Sequence, residues 1–77
     1  MITYAVIYER ADDGSWHARA AEFPAYSCAD TREEVERDIR ASIELYLEGL
    51  AEHGQELPPP SDDVGVVSVE LPSVVAP

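Results

Sequence analysis

The period of the apolar positions switches along this chain, and each switch marks an element. Residues 2–8, ITYAVIY, are dense in β-branched and aromatic side chains, which suit a pleated surface better than a helix and predict a strand over 2–10. ADDGS follows, with the acidic-glycine chemistry of a tight turn. In WHARAA, Trp16, Ala18 and Ala20 alternate with His17, Arg19 and Ala21, the pattern of a half-buried strand over 15–21 that closes a hairpin on the first. Pro24 biases Phe23 towards extended backbone and ends that strand, and AYSCA supplies a short third strand over 25–29.

The period then becomes helical. Thr31 with Glu34 three positions on is a capping box, in which the hydroxyl accepts the Glu34 N–H and the carboxylate reaches back to the Thr31 N–H. Val35, Ile39, Ile43, Tyr46, Leu47 and Leu50 recur every three or four positions and form one stripe, predicting a helix over 31–53. Glu33, Arg37, Arg40, Glu44 and Glu48 fall on or beside the opposite face, with Glu33–Arg37 and Arg40–Glu44 spaced for pairing. Gly54 suits the helix end, and a linker over 54–63 containing LPPPSDD is too stiff to continue it. VGVVSVEL predicts a fourth strand over 64–71, while the tail 72–77, PSVVAP, has no clear partner. No internal repeat or second domain is visible.

This order, β-β-β-α-β, predicts an α+β fold. Strands 1 to 3 make an antiparallel meander, and strand 4, reached across the helix, runs parallel to strand 1 through a right-handed crossover. The expected result is a mixed four-stranded sheet of order 3-2-1-4 with one long helix on one face. Ile2, Tyr4, Val6 and Tyr8 share one side of strand 1 and Ala5 and Ile7 the other, while strand 4 sets Val64 and Val66 against Val67, Val69 and Leu71. Both sheet faces read as apolar and one helix covers only one. A homo-oligomer is therefore expected, with Tyr4, Val6, Tyr8, Val67 and Val69 as its candidate interface.

Composition narrows the function. A 77-residue chain is one domain, and a domain of that size buries only ~60% of its unfolded surface, so its core is thin. One cysteine forms no intrachain disulfide, which points to a reducing compartment. MITYAVIYER lacks a basic region, and its apolar run is too short for a signal peptide or a membrane span, so a soluble cytoplasmic protein is expected. The net charge of −11 repels phosphate backbones and anionic lipid and steers a basic partner inward. An acidic surface also serves solubility alone.

The segments YAVIYERADDGSWHA, FPAYSCADTREEVERDIRASIELYLEGL and GQELPPPS together resemble HicB-like antitoxins over residues 3–71. The shared features are a Tyr-rich first strand, an acidic-glycine turn, an aromatic start to strand 2, an Asp-Thr helix cap and an ELYLE helix end. Ala25-Tyr26 stands where the family usually has Gly-Cys, and the segment before Asp30-Thr31 is one residue short. The resemblance implies a partial RNase H-like fold without catalysis, a dimerising module that neutralises a small basic mRNA-cleaving toxin (HicA-like) by masking its RNA-binding surface or catalytic histidine. Many family members add a helix-turn-helix or ribbon-helix-helix domain after strand 4. This chain stops at Pro77, so no direct DNA binding is expected of it.

The candidate chemistry is sparse. Cys28 has no histidine at a telling spacing, with His17 in strand 2 and His53 at the helix end, and reads as a small buried hydrophobe. Two isolated histidines and one cysteine show no metal-ligand spacing, and no cofactor is expected. His53 fits a favourable contact at the helix C-terminus. A two-metal nuclease would need carboxylates such as Glu9, Glu34 and Asp63 to converge around ions ~4 Å apart. These acids lie at element ends, where solvated carboxylates are ordinary, and Glu34 is claimed by the cap, so no enzyme is expected. For partner binding the candidates are Asp12, Asp13, Glu22, Glu44 and Glu48, together with Leu45, which falls off the apolar stripe near Ala41 and Gly49. Taken singly, each acid reads more readily as an ordinary solvated charge. An orphan oligomeric scaffold without a toxin is the second reading, and residual nuclease activity the third.

Overall fold

A computed structural model describes residues 2–72. Three strands, β1 (Val6–Arg10), β2 (Trp16–Ala20) and β3 (Tyr26–Ala29), form an antiparallel meander, and α1 (Arg32–Glu52) follows. The β1–β2 turn closes with Ala11 N–H donating to Ser15 C=O at 2.8 Å, and Gly14 supplies the positive φ of 89° that the turn requires. Pro24 centres a three-residue turn between Phe23 C=O and Ala25 N–H, 2.9 Å apart, which reverses the chain into β3.

Both ends of α1 are chemically fixed. Thr31 Oγ1 accepts the Glu34 N–H at 3.1 Å. The Glu34 carboxylate takes the Thr31 hydroxyl at 2.9 Å rather than the backbone N–H that a capping box would give it. At the other end Gly54, with φ 67°, sends its N–H to Ala51 C=O while Gln55 N–H reaches Leu50 C=O, a Schellman closure.

Alternation along the meander puts Val6, Tyr8, Trp16, Ala18 and Ala20 on the helix side. The centre of the core is Val35 and Ile39 set down on Ala18, Ala20 and Ala25. Three alanines beneath two branched side chains let the helix approach the sheet closely. Ser27 and Ser42, 3.0 Å apart, tie β3 to α1 at the rim of this contact. At one end, Phe23 stacks on Tyr46 (centroids 5.0 Å) and meets Tyr4 edge-on (5.2 Å), joining the start of the chain, the β2–β3 connection and the helix. At the other end the Arg32 guanidinium lies over the Tyr8 ring, 3.4 Å from its centroid.

The expected four-stranded sheet of order 3-2-1-4 is not formed: the sheet has three strands in the order β1-β2-β3. Residues 64–71 belong to no strand, and Val66 and Val67 are 99% and 86% exposed. The cause lies just upstream. Ser61 N–H donates to Thr3 C=O at 2.9 Å, Ser61 Oγ accepts the Ala5 N–H at 3.1 Å, and the Tyr4 hydroxyl donates to Pro58 C=O at 2.8 Å. Ala5 C=O accepts from Ala21 N–H, so this side of residues 3–5 is the side facing β2. The returning chain is hitched there, on the wrong side to continue along the open edge of β1, and residues 62–72 project from the body. The molecule measures 50 × 28 × 20 Å, with a radius of gyration of 15.6 Å against about 11.5 Å for a compact chain of this length. Of the tail 72–77, residues 73–77 lie outside the described residues.

A second expectation also changes. The sheet face away from the helix is mixed rather than apolar, carrying Glu9, His17, Arg19, Tyr26 and Cys28 beside Ile7. The uncovered apolar surface lies on the helix side, because α1 packs on β2 and β3 and leaves β1 beyond its flank.

Candidate functional site

Two surfaces flank the helix. Towards β1 a groove of about 620 Å³ opens between Ile2, Thr3, Tyr4, Val6 and Tyr8 on one wall and Glu36, Ile39, Arg40, Ile43, Glu44 and Leu47 on the other. Tyr4, Val6 and Tyr8, expected at an oligomer interface, therefore line this groove, while Val67 and Val69 lie on the projecting segment. Its signal in the sequence was the surplus of apolar residues in the first strand. What that pattern did not show was the sideways offset of the helix.

Towards β3 the helix presents Leu45, 71% exposed. Its neighbours one turn away are Ala41 and Gly49, and a Cβ built on Gly49 would meet nothing within 4 Å. Small residues on both sides leave the leucine standing proud. Asp38 and Glu52, both exposed, fall on the same side at helical spacing. Glu48 lies further round, about 20° from Arg37 at the back of the helix, so this flank is an apolar knob with Asp38 and Glu52 beside it on a doubly capped element. Glu44 instead faces the groove.

The remaining partner-binding candidates are dispersed. Asp12 and Asp13 sit in the β1–β2 turn at the Arg10–Trp16 end of the sheet, and Glu22 lies in the β2–β3 connection at the Val6–Ala20 end. All three are exposed. Asp13 is occupied locally: its Oδ1 accepts the Ser15 hydroxyl at 2.6 Å and the Ser15 N–H at 2.9 Å. Those two bonds hold its carboxyl below the ordinary value of 3.8.

The open sheet face carries a polar relay that the sequence pattern did not reveal. Ser15 Oγ, donating to Asp13, accepts from His17 Nε2 at 3.2 Å, which leaves Nδ1 to accept the Tyr26 hydroxyl. Desolvation, with Cys28 and Glu9 nearby, pushes the Tyr26 phenol above its ordinary 10.0. Cys28 is exposed and stands opposite His17 across the β2–β3 ladder, so the expectation of a buried thiol is corrected. A four-residue β3 at the sheet edge turns alternate side chains to open solvent.

The acids considered for a nuclease have separate tasks. Glu9 meets Arg19 at 3.4 Å, Glu34 caps α1, and Asp63 lies in the exposed segment after Ser61. Among the described residues no three His, Cys, Asp or Glu side chains are grouped to hold a metal ion. His53 Nδ1 is 2.8 Å from Gly49 C=O and satisfies a carbonyl of the last turn. No described helix is long and apolar enough to cross a membrane. In comparisons with family models, with curated proteins and with solved structures, no match to this chain is found.

Proposed function

We propose that this chain is a cytoplasmic, antitoxin-type binding module that neutralises a small basic mRNA-cleaving toxin by masking its RNA-binding or catalytic surface. The observation that carries the reading is the β3-side flank of α1, an exposed leucine between two small residues with carboxylates beside it. Apolar anchors supply most of the affinity of such contacts, and charge supplies steering and orientation. A net charge of −11 complements a basic ribonuclease and opposes direct contact with DNA. The ordered series of motifs shared with HicB-like antitoxins supports the same partner class.

The test is cleavage of an RNA substrate by the basic ribonuclease that binds this protein. Stoichiometric addition of the chain is expected to stop cleavage, and Leu45→Lys is expected to weaken inhibition by at least about tenfold, the effect of losing ~1.4 kcal/mol at an anchor, without changing the circular dichroism. Undiminished cleavage in the bound complex would refute the reading. The groove and projecting segment favour a second one, a self-assembling scaffold with no toxin, which predicts an oligomer and no ribonuclease partner.

A further inference from the structure

Residues 64–71 and the groove beside β1 are each incomplete, and they are incomplete in complementary ways. The segment carries Val64, Val66, Val67, Val69 and Leu71, all at least 66% exposed. Alternation along an extended chain would put apolar groups on both of its sides, the pattern of a strand enclosed on both faces. The groove has an apolar floor, chiefly Tyr4, Val6, Tyr8, Ile43 and Leu47, and β1 is an edge strand whose outer main chain is unpaired in the sheet. Lengths agree as well: eight extended residues span about 26 Å, against about 30 Å for residues 2–10.

We infer that residues 64–71 of one copy seat along β1 in the groove of a second copy, and that the exchange is reciprocal, giving a two-fold dimer. The hitch at Ser61 selects a second copy over the chain's own groove. It holds the returning backbone on the β2-facing side of residues 3–5, so its own segment would have to pass around the start of the first strand to reach the open edge. The exposure of Val64, Val66, Val67, Val69 and Leu71 shows that the chain's own body does not cover the segment, which leaves it free for a neighbour's groove. Reciprocity follows because every copy carries both halves. This inference stands independently of the toxin.

Charge gives it a signature. Each copy carries −11, and the segment brings Glu70, with Asp62 and Asp63 just before it, towards a groove that already holds Glu36 and Glu44 beside Arg40. Screening therefore strengthens self-association, whereas it weakens an acid–base contact with a toxin, so the two readings fail separately.

Sedimentation equilibrium of the full chain, at low and at moderate salt, is the test. The expected result is a dimer of the 8.5 kDa chain whose population rises with salt, with the amides of 64–71 protected from hydrogen exchange at least about tenfold over an unpaired segment. Val67→Asp with Val69→Asp is expected to return the protein to a monomer whose helical circular dichroism is unchanged and whose 64–71 amides exchange freely, since both side chains lie outside the core. A monomer at every micromolar concentration, a dimer that survives the double substitution, or protection of 64–71 in a monomer would each overturn the exchange.

Discussion

Gly49 shows how a single residue trades stability against contact. It lies inside α1, where glycine is less favourable than alanine by about 1 kcal/mol, and nothing blocks a methyl group there. Gly49→Ala should therefore raise the unfolding free energy by about 0.5–1 kcal/mol in urea titration. If Leu45 anchors a partner, the same methyl should weaken that partner's binding, which calorimetry would read directly. Asp13 makes a different prediction. Its folded pKa lies below 3.8, so its contribution is fully present above that value and is lost as the pH falls through 3.8 and then through the lower folded value. The stability gap between the wild type and Asp13→Asn should accordingly be widest near neutrality and close in acid. Phe23, held between Tyr4 and Tyr46 but only half-buried, should cost roughly 2–3 kcal/mol when cut to alanine, below the ~3–5 of a fully buried phenylalanine.

At the scale of elements, the helix was the most legible part because its ends are written in local chemistry. Thr31 and Gly54 fix α1 within a residue of the span that the apolar period predicts. Thr31→Ala should remove the Glu34 N–H bond and cost about 1 kcal/mol, measurable by thermal unfolding. The hairpin was legible for a similar reason, since Gly14 and the alternation after Trp16 act over a few residues. The fourth strand was not. Val-rich composition states that residues 64–71 can pair, whereas the partner is decided by where Ser61 is hitched, a contact spanning more than fifty residues. The open face failed differently: alternation named its residues correctly, but no period announces that Ser15, His17 and Tyr26 will join into one relay. Of the partner-binding candidates, Leu45 was visible as a break in the stripe. The acids were visible only as composition, and the fold disperses them between the hairpin turn, the β2–β3 connection and the two flanks of the helix.

For the whole molecule, the feature with the widest consequence is that elements adjacent in sequence are also adjacent in space: β1 meets β2, β2 meets β3, and β3 meets α1. Little loop entropy has to be overcome before native contacts form, which places the body among the faster-folding mixed domains. Among the described residues the Ser61 hitch closes the longest span of chain, and residues 64–71 leave the ribosome after β1 and α1. Nascent bodies should thus complete themselves before residues 64–71 have a strand to join. Refolding followed through Trp16, which sits in β2 beneath Arg10, should show a rapid phase independent of concentration. Any later acquisition of exchange protection over 64–71 should be second-order in protein, its half-time shortening as the chain becomes more abundant. Cellular abundance would then set how long each newly made molecule spends with its valines uncovered, and hence how exposed it is to aggregation or to capture by another sheet edge.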